Sequence, residues 1–217
     1  METIHQVHNL IILDESGSMD SIKKTIIQGF NEIVQTVKGI ELSFPEQEHF
    51  ISLVSFNGLG QKVLHFTDPV KKLEQIDDAK YQPAASTPLY DAMGFSFTML
   101  RKVLEFKPDH DVLVTILTDG EENASKEYSG RDIKKMIEEL KLNRWTFTYI
   151  GTDHDVEKFA ASISITNTLV FHKNEADMKA MFVKEQSSRR AYSEKIRNKK
   201  NTNEDFYNVD NNKDVKA

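Results

Sequence analysis

Residues 10–20 read Leu-Ile-Ile-Leu-Asp-Glu-Ser-Gly-Ser-Met-Asp. A short apolar run typical of a buried strand ends here in an acidic, hydroxyl-rich turn. Asp14, Ser16 and Ser18 occupy alternate positions and carry only oxygen ligands, which Mg²⁺ and Mn²⁺ accept together with water. The stretch therefore predicts a cation site at the carboxyl end of the first strand. The alternative is a polar loop whose Asp and Ser side chains cap the following helix.

Strand-like and helix-like segments alternate outward from this stretch. Predicted strands cover residues 7–13, 50–56, 61–66, 112–117, 145–150 and 168–171. Between most of them, apolar residues recur at helical spacing. The exception is Asn57-Gly58-Leu59-Gly60, whose turn chemistry predicts a hairpin and thus one antiparallel strand. The pattern predicts an α/β, doubly wound fold with a mostly parallel central sheet, one antiparallel edge strand and helices on both faces.

Length and composition indicate how the chain divides into a domain and a tail. The chain has 217 residues, enough for one sizeable domain, which we assign to residues 1–196. Residues 197–217 form a polar, Asn-rich tail that is predicted to be flexible, because it has few apolar residues to bury. Its Phe206 and Tyr207 are candidates for docking on the domain or on a partner.

Charge and composition also exclude several function classes. A net charge of −6 argues against nonspecific nucleic-acid binding, which needs a basic face. The chain has no cysteine, so thiolate catalysis and disulfides are excluded. No apolar run is long enough to cross a bilayer, and the first residues lack the features of a secretory leader. We therefore expect a cytoplasmic protein that contacts neither membranes nor nucleic acid.

Oxygen-bearing side chains also follow two other predicted elements. Asp119 lies in the turn Thr118-Asp119-Gly120 that follows the strand at 112–117, and Thr87 precedes a predicted helix. In a doubly wound sheet, ligands bind where the carboxyl ends of neighbouring strands diverge. If the first and fourth strands are adjacent, Asp14, Ser16 and Ser18 meet Thr87 and Asp119 at one crevice.

These three elements, in this order, resemble a von Willebrand factor A domain over residues 4–190. The matching motifs are Asp14-x-Ser16-Gly17-Ser18, Thr87-Pro88-Leu89-Tyr90-Asp91-Ala92 and Leu117-Thr118-Asp119-Gly120. Glu121-Glu122-Asn123-Ala124-Ser125 and Tyr149-Ile150-Gly151-Thr152-Asp153 further resemble stand-alone bacterial and phage members of that family.

The resemblance implies a metal-ion-dependent adhesion site that holds Mg²⁺ (or Mn²⁺). Ser16 and Ser18 would bind the ion directly, and Thr87 directly or through water. Asp14 and Asp119 would mainly hold coordinated waters. The ion's open position would accept an Asp or Glu carboxylate of a protein partner, so the resemblance implies recognition without catalysis.

Each of these residues also has a simpler interpretation. Thr87-Pro88 is a normal helix entry, and Asp119-Gly120 is a normal turn. Ser86 would replace Thr87 if the loop had a different register. The nearby acids, namely Asp20, Asp91, Glu121 and Glu122, are assigned to solvent or to supporting roles.

Catalysis is the main alternative. A metal-dependent hydrolase or phosphatase would use the same crevice. An aspartyl phosphatase, however, usually has an acid two residues after its nucleophile, where this chain has Ser16. Phosphate-binding and serine-hydrolase motifs are absent. A third possibility is a scaffold that binds without metal through the C-terminal helix. We therefore predict a non-enzymatic, cation-dependent protein-binding module of a bacterial or phage-infected cell.

Overall fold

The chain is organised around its first strand. A computed structural model describes residues 4–107, 109–152 and 155–208. Its strands are β1 His5–Asp14, β2 Gln47–Asn57, β3 Gly60–Pro69, β4 His110–Thr118, β5 Trp145–Gly151 and β6 Asn167–Val170. Its α-helices are α1 Lys23–Ser43, α2 Leu89–Leu104, α3 Gly130–Lys141, α4 Val156–Ser162 and α5 Glu175–Arg197.

The six strands form one sheet in the order β3-β2-β1-β4-β5-β6. β3 is antiparallel to β2 and lies at an edge, whereas the remaining pairs are parallel. The predicted α/β fold with one antiparallel edge strand is confirmed. Because β1 pairs with β2 on one side and with β4 on the other, the strand order reverses between β1 and β4. This reversal opens a crevice at the carboxyl ends of these two strands.

Alternate residues of β1 supply the two halves of the core. Val7, Ile11 and Leu13 belong to the apolar cluster that includes α1 and α5. Leu10 and Ile12 belong to the cluster on the opposite face, which includes α2, α3 and α4. Both faces of the strand are therefore buried, as expected for a parallel sheet covered on both sides. Among the helices of the described ranges, none combines the length and apolarity needed to cross a membrane.

A buried polar network fixes α5 to the sheet. The Arg189 guanidinium pairs with the Glu185 carboxylate at 2.8 Å. It also donates to Asn9 Oδ1 at 2.9 Å and to Thr115 Oγ1 at 2.7 Å. The Tyr207 hydroxyl donates to Glu185 Oε2 at 2.7 Å. Because each buried charge has a partner, the network avoids the cost of an isolated charge and fixes the position of the helix.

The segment after α5 lies against the domain as far as residue 208. Phe206 and Tyr207 are buried and belong to the core cluster that contains α1 and α5. The Phe206 N–H donates to Asn167 Oδ1 at 3.1 Å, which joins the segment to β6. Docking on the domain is therefore the arrangement that the two aromatic residues adopt. Residues 209–217 of the predicted tail lie outside the described residues, and the boundary between 196 and 197 stays a prediction.

Candidate functional site

Asp14 ends β1 with a buried and fully oriented carboxylate. Its Oδ1 accepts from the Ser16 N–H at 2.7 Å, and its Oδ2 accepts from Thr118 Oγ1 at 2.5 Å. Burial raises the pKa of Asp14 to about 6 in spite of these hydrogen bonds, which act in the opposite direction. A nearby cation would offset this desolvation, so the environment of Asp14 favours a positive ligand.

The two serines of the first loop turn toward Asp119. The Ser16 and Ser18 hydroxyl oxygens lie 3.2 Å apart, and Ser18 Oγ donates to Asp119 Oδ1 at 2.6 Å. A 3₁₀ helix, Gly17–Ile22, precedes α1, so the α-helix itself begins only at Lys23. Ser16 has an extended backbone and its side chain makes no capping hydrogen bond. Helix capping therefore does not account for Ser16.

The loop before α2 brings Thr87 to the same place. The Gly17 N–H donates to the Ala85 carbonyl at 3.0 Å, which joins this loop to the serine loop. Thr87 is buried, and a Cβ placed on Gly120 would lie 3.7 Å from Thr87 Oγ1. Ser86 instead points toward the β2–β3 hairpin, since a Cβ on Gly58 would lie 2.3 Å from Ser86 Oγ. Of the two residues, Thr87 therefore lies beside Gly120, next to Asp119, while Ser86 faces the hairpin, and the role of Thr87 as a metal ligand stays a prediction.

The loop after β4 holds both Thr87 and the start of α2. Asn123 Oδ1 accepts from the Thr87 N–H at 3.0 Å, and the Asn123 N–H donates to the Thr87 carbonyl at 3.2 Å. The Glu122 carboxylate accepts from the Tyr90 N–H at 2.9 Å. An acid at this position satisfies a free helix N–H and interacts favourably with the helix dipole. From the sequence, Asn123 was quoted only as part of a resembling stretch and was given no role of its own.

Asp91, on α2, also holds the loop that follows β4. Its carboxylate accepts from the backbone N–H groups of Lys126, Glu127 and Tyr128, at 2.8, 2.9 and 2.9 Å. These bonds fix the second half of the loop between β4 and α3. Asp91 and Glu122 therefore have the supporting roles that were assigned to the nearby acids, and each supports a loop of the site.

Glu15 is a buried acid that the sequence analysis missed. Its carboxylate accepts from Ser55 Oγ and Lys62 Nζ at 2.6 Å each, and from the Gln82 N–H at 2.5 Å. The Tyr81 hydroxyl donates to the carbonyl of Asp14 at 2.6 Å in the same region. Together these contacts fix the loop before α2 against the ends of β1 and β2. No periodicity in the sequence marks such an acid, because its partners lie on distant segments.

Asp119 connects the site to a cation of the chain itself. Its Oδ1 accepts from Ser18, as described above, while its Oδ2 lies 2.9 Å from Lys173 Nζ. This contact is an ion pair without the geometry of a hydrogen bond, and Oδ2 is buried. Lys173 was also missed from the sequence, since it lies in the short connection between β6 and α5.

These oxygens suit a hard divalent ion. The five predicted residues provide two carboxylates and three hydroxyls, and the buried Asp119 Oδ2 already lies beside a positive group, Lys173 Nζ. Within the part of the chain that the structure describes, no group of three or more His, Asp or Glu side chains forms a conventional metal cluster. A site here would therefore rely on neutral hydroxyls and water. Of the five predicted residues, Asp14, Ser16, Thr87 and Asp119 are buried and Ser18 is exposed, so Ser18 is the member that solvent reaches. Asp153 of the second resembling stretch lies outside the described residues.

The fold is similar to several solved structures. The PilB minor pilin from Streptococcus sanguinis matches with a TM-score of 0.62 and 14% identity over 88% of this chain, which spans 62% of that pilin chain. The vWF domain of the type V pili tip protein Mfa5 from Porphyromonas gingivalis matches with a TM-score of 0.58 and 12% identity. The match covers 87% of this chain and 96% of that one. The SpRpn10 VWA domain matches with a TM-score of 0.54 and 12% identity. The match covers 82% of this chain and 94% of that domain. At these identities the likeness concerns the fold alone.

Sequence comparison identifies the family. No curated protein matches the chain significantly. The family model for the von Willebrand factor type A domain matches residues 10–211, which include all three loops of the crevice. The chain therefore belongs to the von Willebrand factor type A domain family.

Proposed function

We propose that this domain is a divalent-cation-dependent protein-binding module. Mg²⁺ (or Mn²⁺) would lie at the carboxyl edge of the sheet, near Ser16, Ser18 and Thr87. The main supporting observation is that Ser18 Oγ lies 3.2 Å from Ser16 Oγ and donates to Asp119 Oδ1 at 2.6 Å, so that oxygens from separate loops share one crevice. Membership of a family whose domains are generally protein-interaction modules supports the same conclusion.

The charge of the donor set explains how such a site would recognise a protein. Ser16, Ser18 and Thr87 are neutral donors, while Asp14 and Asp119 would act mainly through coordinated waters. An ion with few direct anionic ligands keeps much of its charge and attracts a further carboxylate. Because Ser18 is exposed, an Asp or Glu side chain of a partner has access to the remaining coordination position.

Several finer assignments belong to the same proposal. We propose that the module is not an enzyme, that it is of the stand-alone bacterial or phage type and that it acts in the cytoplasm. Its partner would be a protein rather than a nucleic acid or a membrane, in keeping with the net charge of −6. Binding would use the metal and the rim of the crevice.

Calorimetric titration with MgCl₂ and MnCl₂ tests the metal site. The full chain is compared with Asp14→Ala and Ser16→Ala. We expect saturable binding to the unaltered chain and its loss in both variants. Asp20→Ala and Ser21→Ala are matched controls, since they remove an exposed acid and an exposed hydroxyl near the site, and they should keep the affinity within about twofold. Equal binding by all five proteins would contradict the assignment.

A capture experiment tests the recognition role. The tagged domain is incubated with native cell extract in Mg²⁺ or in chelator, and Ser16→Ala is treated in the same way. We expect a partner that is retained only by the unaltered domain in Mg²⁺. Equal capture in chelator would favour the scaffold alternative. Turnover of a generic phosphoester that is lost in Asp14→Ala would favour the hydrolase alternative.

A further inference from the structure

The connection between β6 and α5 brings a lysine to the edge of the proposed metal site. Lys173 Nζ lies 2.9 Å from Asp119 Oδ2. The Asp119 side chain is 0% exposed and that of Lys173 is 23% exposed, so the lysine reaches solvent whereas the carboxylate does not. Asp119 is thus shared between Ser18, on one oxygen, and a cation of the chain itself, on the other.

The backbone on both sides of Lys173 is anchored. Phe171 is buried, and its N–H donates to the Gly151 carbonyl at 3.1 Å. Asn174 caps α5, since its side-chain oxygen accepts from the Asp177 N–H at 2.9 Å. The contact with Asp119 is therefore built into a fixed connection rather than made by a lysine on a free surface.

We infer that Lys173 is an internal counter-cation that competes with the divalent ion for Asp119 and so sets the affinity of the site. This inference rests on the proposed function. A buried carboxylate is costly without a positive partner, and Lys173 supplies one when no metal is bound. A divalent ion bound near Asp119 would repel the ammonium group over a few ångströms in a poorly solvated crevice. The ion must therefore displace the ammonium or bind more weakly beside it.

The same competition predicts that a protein partner changes the equilibrium of metal binding. When the ion displaces Lys173 from Asp119, the ammonium group remains beside the crevice. A carboxylate from a partner compensates for both positive groups at once. Metal and partner should therefore bind cooperatively, because each reduces the electrostatic cost of the other.

Calorimetric Mg²⁺ titration of four proteins, each with all 217 residues of the chain, tests the competition. Lys173→Met removes the charge, whereas Lys173→Arg keeps it. Lys179→Met is the matched control, because it removes an exposed lysine of α5 that pairs with Glu175 and not with Asp119. We expect about tenfold tighter binding for Lys173→Met, within the usual range of coupling between neighbouring sites. Lys173→Arg and Lys179→Met should stay within about twofold of the unaltered chain. Equal or weaker binding by Lys173→Met overturns the inference.

A metal-free measurement tests the ion pair by itself. Thermal unfolding in chelator is measured for Lys173→Met, Asp119→Asn and the double variant. The two substitutions should be non-additive, since each removes the same contact, and additive effects overturn the inference. Failure of the proposed function has a different signature, namely that no protein binds Mg²⁺, Lys173→Met included. Binding by Lys173→Met alone supports the inference most strongly, because the lysine would then block the site.

Discussion

Thr87 and Asn123 form a reciprocal pair across two loops. The Thr87 N–H donates to Asn123 Oδ1 at 3.0 Å, and the Asn123 N–H donates to the Thr87 carbonyl at 3.2 Å. The pair joins the loop before α2 to the loop after β4. The position of the Thr87 hydroxyl therefore depends on a residue outside the proposed set of metal ligands.

Asn123→Ala should weaken Mg²⁺ binding without removing a ligand. The substitution deletes the acceptor for the Thr87 N–H and should destabilise the fold by about 1 kcal/mol. We expect a loss of affinity of about ten- to hundredfold, measured by calorimetry, because loss of one supporting group commonly has that effect on metal sites. Asn123→Asp keeps an acceptor oxygen and should retain most of the affinity. Equal losses in Asn123→Ala and Asn123→Asp would indicate that the hydrogen bond does not position Thr87.

Mg²⁺ affinity should fall below pH 6. Burial raises the pKa of Asp14 to about 6, and a protonated carboxyl group no longer supports the ion. We expect affinity to fall by about tenfold per pH unit in this range, if one proton competes with the ion. Titrations at pH 5.0, 6.0 and 7.5 check this slope. A pH-independent affinity over this range would contradict a role for Asp14.

Without metal, the same group should make the fold less stable at higher pH. The folded-state pKa of Asp14 lies above its ordinary value of 3.8, so its contribution to stability is fully present below pH 3.8 and is lost as pH rises through 6. The loss amounts to about 3 kcal/mol. This loss is measured as the difference in the free energy of unfolding between the unaltered chain and Asp14→Asn, in chelator, from pH 4 to 8. Saturating Mg²⁺ should restore stability at pH 7.5 more than at pH 5.

Removal of the Glu15 side chain should lower the free energy of unfolding far more than removal of its partner Lys62. Glu15→Ala leaves the buried Ser55 hydroxyl and the Gln82 N–H without their acceptor, and should lower the free energy of unfolding by about 2–4 kcal/mol. The Lys62 side chain is 47% exposed, so Lys62→Met should cost less than about 1 kcal/mol. Urea unfolding of both variants measures the difference. Similar costs would show that the ion pair, and not the hydrogen-bond network, holds the loop.

Phe206 should be important for stability although it lies in a polar segment. Its side chain is 3% exposed, and Phe206→Ala should cost about 3–5 kcal/mol. Phe106 is 87% exposed, so the same substitution there should change stability by less than about 0.5 kcal/mol. Thermal unfolding of the two variants gives the comparison. Equal stability of Phe206→Ala and Phe106→Ala would show that this segment is not docked in solution.

The sequence predicts the elements that depend on local patterns. β1 follows from its apolar run, and the antiparallel position of β3 follows from the turn chemistry at residues 57–60. Asp14 and Asp119 were found because each comes directly after, or at the end of, an apolar strand. The order of the parallel strands brings those ends together, as the topological rule predicts, while their role in metal binding stays a prediction.

Contacts between distant segments could not be predicted in this way. Lys173 and Asp119 are far apart in the chain, and nothing near Lys173 distinguishes it from the many solvated lysines. Glu15 follows Asp14 directly, yet its burial depends on Ser55 and on the loop at residue 82. The adjacent aromatics in the polar tail were the available signal for the docked segment. Such residues can be identified only when their partners are known in space.

The bonds of the crevice connect remote parts of the chain. The Ser18–Asp119 bond joins residues 101 positions apart, and the Thr118–Asp14 bond joins residues 104 apart. Closing such large loops is slow, so these contacts should form late in folding. No short excised peptide would reproduce them. A cation would therefore stabilise the folded state by mass action and would not nucleate folding. Peptide fragments that span only one of the loops would be poor substitutes for the domain in a screen for binding partners.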